Sequence, residues 1–308
     1  MRIVFMGTPD YAAATLSKLI DSNHDIVAVF AQPDKPVGRK QILTAPPTKL
    51  VANEHNIAVY QPVSLKDGTA LDILRQLNPD VIVVVAYGKI LPKEILELPK
   101  FGCVNGHASL LPKLRGASPI QWSIVTGEKV TGVTTMLMDE GMDTGDILLT
   151  AQTKIREEET AAELFDRLSE ISAELMLSTL DSLEKGEITP QKQDESKATY
   201  APIIKKEMAH LDFNKSAEEI CNAVRGFYSW PCAFCFINGK RIKVIKAAVA
   251  NKCNNASGIV ISNENKLVIS CGDNTSVELI TVQPEGAKAM SASQMLNGRS
   301  IPLGTVVE

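Results

Sequence analysis

Residues 81–85 read Val-Ile-Val-Val-Val, and this run decides the fold of the first half of the chain. A strand that is apolar at every position, rather than at alternate positions, is buried on both faces, which is typical of a parallel sheet covered by helices. Comparable apolar runs occupy residues 3–6, 26–30 and 134–138. Between these runs, apolar side chains recur at three- and four-residue spacing over residues 11–20, 69–77 and 118–126. Repeated strand-helix-strand units predict an open α/β sheet.

A second, smaller domain is predicted after a long helix. Residues 160–183 are amphipathic and follow three glutamates that suit the positive end of a helix dipole. The polar stretch at residues 186–202 is interpreted as an interdomain linker, because it is bounded by Pro190 and Pro202 and lacks an apolar period. Beyond it, one helix precedes short strands, and Asn238-Gly239 between apolar runs predicts a hairpin. This pattern favours a small β-barrel or sandwich.

The composition is that of a globular protein of about two domains. Of 308 residues, 44% are apolar and 22% charged, and 32 Lys and Arg against 36 Asp and Glu give a net charge of −4. A disordered acidic tail, a fibre and a small disulfide scaffold are excluded. The longest apolar run covers only residues 81–87, against the roughly 20 residues needed to cross a bilayer, so no membrane span is expected. No signal-peptide pattern opens the sequence, which predicts a cytoplasmic protein with reduced cysteines.

Glycine and cysteine patterns argue against several other chemistries. The first strand is followed by Gly7-Thr8-Pro9-Asp10, which lacks the G-x-G-x-x-G pattern of a dinucleotide site, and no G-x-x-x-x-G-K-[ST] phosphate loop occurs. Hydride transfer and nucleotide hydrolysis are therefore disfavoured. Cys232 and Cys235 have the spacing of half a zinc site, but Cys253 and Cys271 do not form a second pair. The cysteines are interpreted as structural, and no metal is expected.

The densest group of chemically active side chains follows two of the predicted strands. Asn105 and His107 come first, and a carboxylate-rich turn that includes Asp143 comes later. Both stretches are expected at the carboxyl edge of a parallel sheet, where ligands bind in open α/β folds. An amine that attacks an amide-like carbonyl creates an oxyanion, to which the Asn105 carboxamide and a protonated His107 could donate. Asp143 could orient the imidazole and relay the proton that the amine loses. The pattern therefore favours acyl transfer.

Residues 104–116 and the downstream Asp143-Thr144-Gly145-Asp146 together resemble the folate-dependent formyltransferases, whose signature is Asn-x-His, Ser-Leu-Leu-Pro and a later D-x-G. The chain further resembles those members of this family that act on initiator methionyl-tRNA, and this resemblance lies in residues 5–10, 32–39, 61–64, 84–88 and 230–231. The resemblance implies a Rossmann-like catalytic domain with an open parallel sheet at residues 1–187, a linker at 188–205 and an OB-like, tRNA-binding β-barrel at 206–308. It implies transfer of a formyl group from 10-formyltetrahydrofolate to the amino group of methionyl-initiator-tRNA, without a metal. We expect a monomer.

The resemblance also assigns roles by position. It implies that the catalytic residues are Asn105, His107 and Asp143. It implies that the folate pocket is formed by Val84, Ala86, Tyr87, Gly88, Ile90, Leu91, Ser109, Leu110, Leu111, Pro112, Asp139, Gly141 and Met142, with much of the pterin recognition from backbone groups. The expected tRNA contacts are a loop at residues 34–48 and a basic C-terminal hairpin, through Lys35, Arg39, Lys40, Lys206, Lys240, Lys243 and Lys246. The neighbouring Lys49 is a further candidate for a phosphate contact.

Charge supports the second of these surfaces, since residues 206–308 carry 11 Lys and Arg against 9 Asp and Glu in an otherwise acidic chain. One departure from the family pattern is Gly106, where a bulky apolar residue is usual. Because glycine widens the allowed backbone conformations, we expect that Gly106→Val is tolerated or beneficial. Three alternatives stay open: a formyltransferase for a small amine, a formyltetrahydrofolate hydrolase, and an RNA-binding protein with an inactive α/β domain.

Overall fold

The computed structural model describes residues 1–38, 40–298 and 300–308. The chain divides into two compact units. The first unit contains residues 1–116, 130–154 and 165–200, and the second contains residues 117–129, 155–164 and 201–308. Two short segments that precede residue 201 therefore belong to the second unit. The division into residues 1–187, 188–205 and 206–308 stays a prediction about independently folding domains.

The helices and strands that apolar spacing predicted before residue 185 are confirmed, and others occur between them. In chain order they are β1 (Arg2–Gly7), α1 (Asp10–Ile20), β2 (Asp25–Phe30), β3 (Lys35–Val37), β4 (Ile42–Thr44), α2 (Pro47–Glu54), β5 (Val59–Tyr60), α3 (Thr69–Leu77), β6 (Val81–Val85), α4 (Lys93–Leu96), β7 (Cys103–His107), α5 (Pro119–Val125), β8 (Val130–Leu137), β9 (Ile147–Lys154) and α6 (Ala161–Glu184). The strands β3, β4, β5, β7 and β9 and the helices α2 and α4 were not predicted, and Asn105 and His107, expected after a strand, lie on β7 itself.

The first unit is built on an open sheet with the strand order β5-β2-β1-β6-β7-β8-β9. The strands from β5 to β7 are parallel. All residues of β6 are buried, as expected for a strand covered on both faces. The predicted open α/β sheet is confirmed, but β8 and β9 run antiparallel to their neighbours. Apolar spacing gives the burial of a strand and not its direction, so this edge was not predicted.

The antiparallel direction of β8 changes where the loops with the predicted catalytic residues leave the sheet. Val104 lies opposite Leu137 and His107 lies opposite Thr134, so the end of β8 is beside the start of β7. The expectation that both loops leave from one carboxyl edge is therefore wrong for residues 138–146, which we call the carboxylate loop. This loop folds back along the sheet, because the carboxylate of Asp143 is 3.6 Å from the His107 ring.

The second unit contains a helix and an antiparallel sheet. Its elements from residue 201 onward are α7 (Ala217–Gly226), β10 (Phe234–Ile237), β11 (Lys240–Val249), β12 (Val260–Ser262), β13 (Leu267–Ser270), β14 (Ser276–Pro284), β15 (Met290–Ser291) and α8 (Ala292–Asn297). The sheet has the order β10-β11-β14-β13-β12, with β15 beside β14. Asn238 and Gly239 both have positive φ, which confirms the predicted hairpin between β10 and β11.

Residues 304–308 close this sheet. Val307 pairs with Ile237 of β10, and Val306 pairs with Ile259 next to β12, so one segment joins the two edges of the sheet. The Val307 backbone N–H donates to the carbonyl of Gly258 at 2.8 Å, and the Glu308 N–H donates to the carbonyl of Phe236 at 3.0 Å. The result is the small OB-like β-barrel predicted from the sequence. Across residues 1–38, 40–298 and 300–308, none of the helices combines the length and the apolarity that crossing a membrane requires.

Candidate active site

The strand β7 presents its two polar side chains to one face. Because side chains alternate along a strand, Asn105 and His107 share a face and Gly106 points to the opposite one. Asn105 is partly exposed, and within the described part of the chain its carboxamide has no hydrogen-bond partner. His107 is buried, and its Nε2 lies 2.9 Å from the Leu114 carbonyl oxygen. Since a carbonyl only accepts, Nε2 carries the hydrogen and Nδ1 is left to face Asp143.

Asp143 is held beside this histidine. Its Oδ2 lies 3.6 Å from His107 Nδ1 and accepts a hydrogen bond of 2.7 Å from the Gly116 backbone N–H. The Asp143 side chain is 15% exposed and the His107 side chain 7%. Asp143 adopts a left-handed backbone conformation with φ of 54°. The three predicted catalytic residues are thus placed together, in a site that is largely shielded but open at Asn105.

The carboxylate loop that carries Asp143 is tightly constructed. Asp139 Oδ1 accepts from the Thr144 hydroxyl at 2.6 Å and from the Gly141 N–H at 3.0 Å. A Cβ on Gly141 would lie 2.0 Å from the Thr144 hydroxyl oxygen, and one on Gly145 would lie 1.7 Å from the Leu137 carbonyl oxygen. Gly145 therefore has no space for a side chain, whereas a side chain at Gly141 would displace the Thr144 hydroxyl from Asp139. Contacts within the loop thus restrict the backbone that carries Asp143.

One residue that supports this loop was missed from the sequence. Gln193 lies in the stretch interpreted as a linker, yet its side-chain Nε2 donates to the carbonyls of Asp143 and Gly145, each at 2.8 Å. Its Oε1 accepts in turn from Arg115. A single glutamine in a polar stretch carries no local signal of such a contact, because the partners are about 50 residues away in sequence.

The space behind Gly106 is smaller than the sequence suggested. A Cβ at this position would lie 3.2 Å from Ser172 Oγ, 3.3 Å from Met176 Cε and 3.6 Å from Val85 Cγ2. The first two contacts come from α6, and their atoms end flexible side chains. A Cβ alone requires these side chains to move by a few tenths of an ångström, and valine adds two further carbons beside them. In place of the expectation that Gly106→Val is tolerated or beneficial, we predict that it lowers stability.

The predicted folate-pocket residues at 84–91 fall into two groups. Val84, Tyr87 and Leu91 are buried in the hydrophobic core of the first unit. Burial raises the pKa of the Tyr87 hydroxyl to about 12. The second group points outward and consists of Ala86, Gly88 and Ile90, all exposed. Ala86 and Gly88 have φ of 45° and 78°, and the Tyr87 carbonyl between them accepts from the Thr8 hydroxyl at 3.2 Å and from Gln32 Nε2 at 3.1 Å.

The predicted pocket residues at 109–112 form a turn after His107. The Ser109 hydroxyl donates to the Lys113 carbonyl at 2.6 Å, and the Ser109 carbonyl accepts from the Thr134 hydroxyl at 2.7 Å. Thr134 also accepts from the Leu111 N–H at 3.1 Å. Ser109 and Leu111 are buried, whereas Leu110 and Pro112 are half-buried. The remaining predicted pocket residues lie on the carboxylate loop and are exposed: Asp139, Gly141 and Met142.

The predicted tRNA-binding loop is a short hairpin, formed by β3 and β4, whose strand residues are all exposed. Lys35 and Lys40 lie on it, and Arg39 falls outside the described residues. Its apolar side chains are more exposed than is usual, at 57% for Val37, 62% for Ile42 and 66% for Leu43. Exposed cationic side chains and exposed apolar side chains therefore lie on the same short hairpin.

Lys49 is not available for a phosphate contact, because its amine is already used. Its Nζ lies 2.9 Å from each oxygen of Asp34 and 2.8 Å from Gln61 Oε1. Hydrogen bonds from Gln61 and Lys49 hold the pKa of the Asp34 carboxyl below its usual value. The group anchors the base of the β3–β4 hairpin.

The predicted basic residues of the barrel differ in their exposure and in their ion pairing. Lys206 and Lys240 are exposed and Lys243 is half-buried. Lys246 is exposed as well, but its Nζ lies 3.0 Å from Glu158, which belongs to the same unit. Lys246 is therefore partly neutralised. Lys206, Lys240 and Lys243 are the better candidates for phosphate contacts.

The cysteines are unpaired in the described residues: Cys103, Cys221, Cys232, Cys235, Cys253 and Cys271. Burial raises the pKa of the Cys235 thiol to about 12, which disfavours its thiolate. Among residues 1–38, 40–298 and 300–308, no group of three or more His, Cys, Asp or Glu is arranged to hold a metal ion.

Comparisons with known proteins agree with this geometry. The family described as formyl transferase matches residues 1–180, and the formyl transferase C-terminal domain matches residues 203–300. A methionyl-tRNA formyltransferase of Caldanaerobacter subterraneus subsp. tengcongensis is 46% identical over 310 residues, which cover 100% of both chains. The methionyl-tRNA formyltransferase of Thermodesulfovibrio yellowstonii is 47% identical over 98% of this chain and 97% of its own.

Solved structures share the fold. An N-formyltransferase from Helicobacter canadensis, solved with folinic acid and dTDP-3-aminofucose, aligns with a TM-score of 0.69 at 21% identity, over 92% of this chain and 98% of its own. A methionyl-tRNA formyltransferase from Clostridium thermocellum aligns with a TM-score of 0.57 at 24% identity, over 80% and 93%. Because the sequence matches span both units from end to end, this chain belongs to the formyl transferase family, in the branch of the methionyl-tRNA formyltransferases.

Proposed function

We propose that this chain transfers the formyl group of 10-formyltetrahydrofolate to the amino group of methionyl-initiator-tRNA, giving formylmethionyl-tRNA for translation initiation. The observation that carries the proposal is the placement of Asn105, His107 and Asp143 together at the end of β7. Membership in the methionyl-tRNA formyltransferase branch supports the acceptor. We assign the catalytic roles to these three residues.

The free carboxamide of Asn105 suits the oxyanion. Formyl transfer joins the amine nitrogen to the formyl carbon and breaks the bond between that carbon and the donor nitrogen, through a tetrahedral centre with negative oxygen. Asn105 is the polar side chain of β7 that has a donor to spare, so it is placed to stabilise this oxygen. The folate supplies the formyl group at the correct oxidation level, and no redox step or metal is needed.

His107 and Asp143 suit the proton transfer. With Nε2–H donated to the Leu114 carbonyl, Nδ1 of a neutral His107 can accept the proton that the attacking amine loses. The Asp143 carboxylate, 3.6 Å away, stabilises the imidazolium that results. The same proton can then pass to the nitrogen of the departing tetrahydrofolate. Once His107 is protonated, its Nδ1–H can also donate to the oxyanion, as expected from the sequence, while Nε2–H stays bonded to Leu114.

The pocket for the folate is assigned to the outward main chain at residues 86–90 and to the exposed part of the carboxylate loop. Ala86 and Gly88 are exposed, so their main chain can approach the donors and acceptors on the edge of a pterin ring. The buried side chains of Val84, Tyr87 and Leu91 support this main chain from the core. The tRNA contacts are assigned to the β3–β4 hairpin and, separately, to Lys206, Lys240 and Lys243 of the barrel.

The test is transfer of labelled formyl from 10-formyltetrahydrofolate to initiator methionyl-tRNA, with free methionine and glycinamide ribonucleotide as competing acceptors. We expect label on methionyl-tRNA only, and a loss of about 10²–10⁴-fold in kcat for His107→Ala. His55→Ala, at the exposed residue that follows α2, is the matched control and should keep wild-type kcat. Label on a small amine, or release of formate alone, would overturn the assigned acceptor.

A further inference from the structure

The Gln193 side chain touches the carboxylate loop at two places that flank Thr144. Its Nε2 donates to the carbonyl oxygens of Asp143 and Gly145, each at 2.8 Å. One amide group therefore fixes the positions of two peptide units in the loop. The first of these units belongs to Asp143, whose left-handed backbone sets the direction of its carboxylate. A contact at this point acts on the orientation of Asp143 without touching its side chain.

The orientation of the Gln193 amide is itself determined. Its Oε1 accepts from Arg115 Nε at 3.1 Å and from Arg115 Nη2 at 2.8 Å. Because a guanidinium can only donate, the oxygen of the amide must face Arg115 and the nitrogen must face the two carbonyls. No alternative assignment of the amide satisfies both sets of partners. Arg115 therefore keeps the NH₂ group of Gln193 directed at the loop.

Arg115 is a rigid support for this purpose. Its side chain is 1% exposed, and its Nη1 and Nη2 donate to the two oxygens of Glu195 at 2.8 and 2.7 Å. This two-fold pairing compensates the buried charge and fixes the plane of the guanidinium. The hydrogen bonds from Arg115 hold the pKa of the Glu195 carboxyl below its usual value, so Glu195 stays ionised near neutral pH.

The backbone next to Arg115 contacts both members of the histidine–aspartate pair. The Leu114 carbonyl accepts from His107 Nε2 at 2.9 Å, and the Gly116 N–H donates to Asp143 Oδ2 at 2.7 Å. Arg115 itself is tied to the polar stretch through its N–H, which donates to the Thr199 carbonyl at 2.9 Å. Three consecutive residues thus link His107, Gln193 and Asp143. Residues 193–199 hold the site in shape instead of serving only as a connection.

We propose that Gln193 is a positioning residue for the formyl transfer, fixing Asp143 against His107, and that Arg115 and Glu195 fix Gln193. The inference rests on the proposed function, because it assigns Asp143 a role in that reaction. Removing the amide leaves the carbonyls of Asp143 and Gly145 without their donor and allows the loop to move. A displacement of about 1 Å at a catalytic group lowers the rate on the order of a hundredfold.

The first test compares Gln193→Ala with Gln191→Ala. Gln191 has an exposed side chain, and only its backbone pairs with Ile147, so its substitution removes no side-chain support from the loop. We expect Gln193→Ala to lower kcat for methionyl-tRNA by about tenfold to a hundredfold with less than a threefold change in KM for either substrate. Gln191→Ala should match the wild type. Equal kcat for the two variants would overturn the proposal.

A double-mutant cycle separates positioning from general loss of structure. If Gln193 acts through Asp143, Gln193→Ala should cost nothing further in kcat once Asp143→Ala is present. Full additivity of the two losses would overturn the proposal, since it would show that Gln193 acts elsewhere. Unchanged thermal unfolding of Gln193→Ala, within a few degrees, would confirm that the loss of kcat is local.

Hydrogen exchange keeps this inference separable from the proposed function. We expect the amides of residues 140–146 to exchange at least tenfold faster in Gln193→Ala than in the wild type and in Gln191→Ala, with no substrate present. If the wild type failed to formylate methionyl-tRNA while the loop responded in this way, the acceptor assignment would fail and the support by Gln193 would stand. Unchanged exchange in the loop would overturn the support itself.

Discussion

The carboxylate loop and the β3–β4 hairpin are two short projecting segments of the same unit, and they are built in opposite ways. In the loop, Asp139 binds two groups of the loop itself, and a side chain on Gly145 would collide with the main chain. In the hairpin, every strand residue is exposed, and the strands pair only with each other. A two-stranded hairpin of this kind is marginally stable by itself.

The difference matches the roles that we propose for the two segments. Proton transfer requires donor and acceptor at fixed distances before the substrate arrives, and the loop is held by its own contacts and by Gln193. Recognition of a large partner can use surface that is buried only in the complex, so exposed Val37, Ile42 and Leu43 cost little in the free enzyme. The comparison teaches that the segment with the reactive carboxylate is held by hydrogen bonds, whereas the exposed hairpin leaves its surface available to a partner.

The same substitution in both segments gives the largest expected contrast. Gly145→Ala would place a Cβ 1.7 Å from the Leu137 carbonyl oxygen, so the loop must shift. Gly38→Ala, in the hairpin, meets nothing within 4 Å and only incurs the cost of its φ of 71°, roughly 1–2 kcal/mol. We expect kcat to fall by about a hundredfold or more in Gly145→Ala and to be unchanged in Gly38→Ala at saturating substrates. A Gly145→Ala enzyme within threefold of wild type would refute the rigid loop.

A second substitution tests the support behind the rigid site. Gly106→Val adds branched carbons where a Cβ alone already lies 3.2 Å from Ser172 Oγ, and such overpacking costs about 1–3 kcal/mol. Gly106→Ala should be close to wild type, and Ser172→Ala should restore part of the loss when it is combined with Gly106→Val. The measurement is the free energy of unfolding by denaturant. A Gly106→Val enzyme as stable as the wild type would show that α6 yields more readily than the contacts suggest.

The smallest effect is expected in the hairpin. Leu43→Ser removes an exposed side chain, so stability should change by less than about 0.5 kcal/mol. If Leu43 is buried on binding tRNA, KM for methionyl-tRNA should rise about tenfold, and KM for the folate should not change. Leu50→Ser, at a leucine of α2 that is 51% exposed, is the matched control. The same rise in KM for both variants would remove the special role of the hairpin.

Local signals in the sequence were sufficient for much of the fold and for the reactive side chains. The buried strand β6 and the helix α3 follow from apolar spacing alone, because each buries its own face within a few residues. Asn105 and His107 were identified by residue type and expected after a strand, whereas they lie on β7 itself and share a face because they are two residues apart. The direction of β8 was not predictable, because a buried strand reads the same in either orientation.

The contacts that hold the site in place also could not be predicted from short stretches of sequence. Gln193 lies in a polar stretch that matches a linker in composition, and its partners Arg115 and Asp143 are 78 and 50 residues away in sequence. The restriction behind Gly106 comes from Ser172 and Met176, on a helix whose register against β7 no local pattern encodes. Contacts of this kind form only when distant parts of the chain pack together, so no pattern in the neighbouring sequence indicates them.

The barrel of the second unit is closed by residues 304–308, which pair with strand positions near residues 237 and 259. During synthesis those two edges leave the ribosome first and remain without partners until the closing segment follows. The interval exposes rows of unpaired N–H and C=O groups that another chain could join. Order of emergence, and not only final stability, therefore sets how safely this unit folds in the cell.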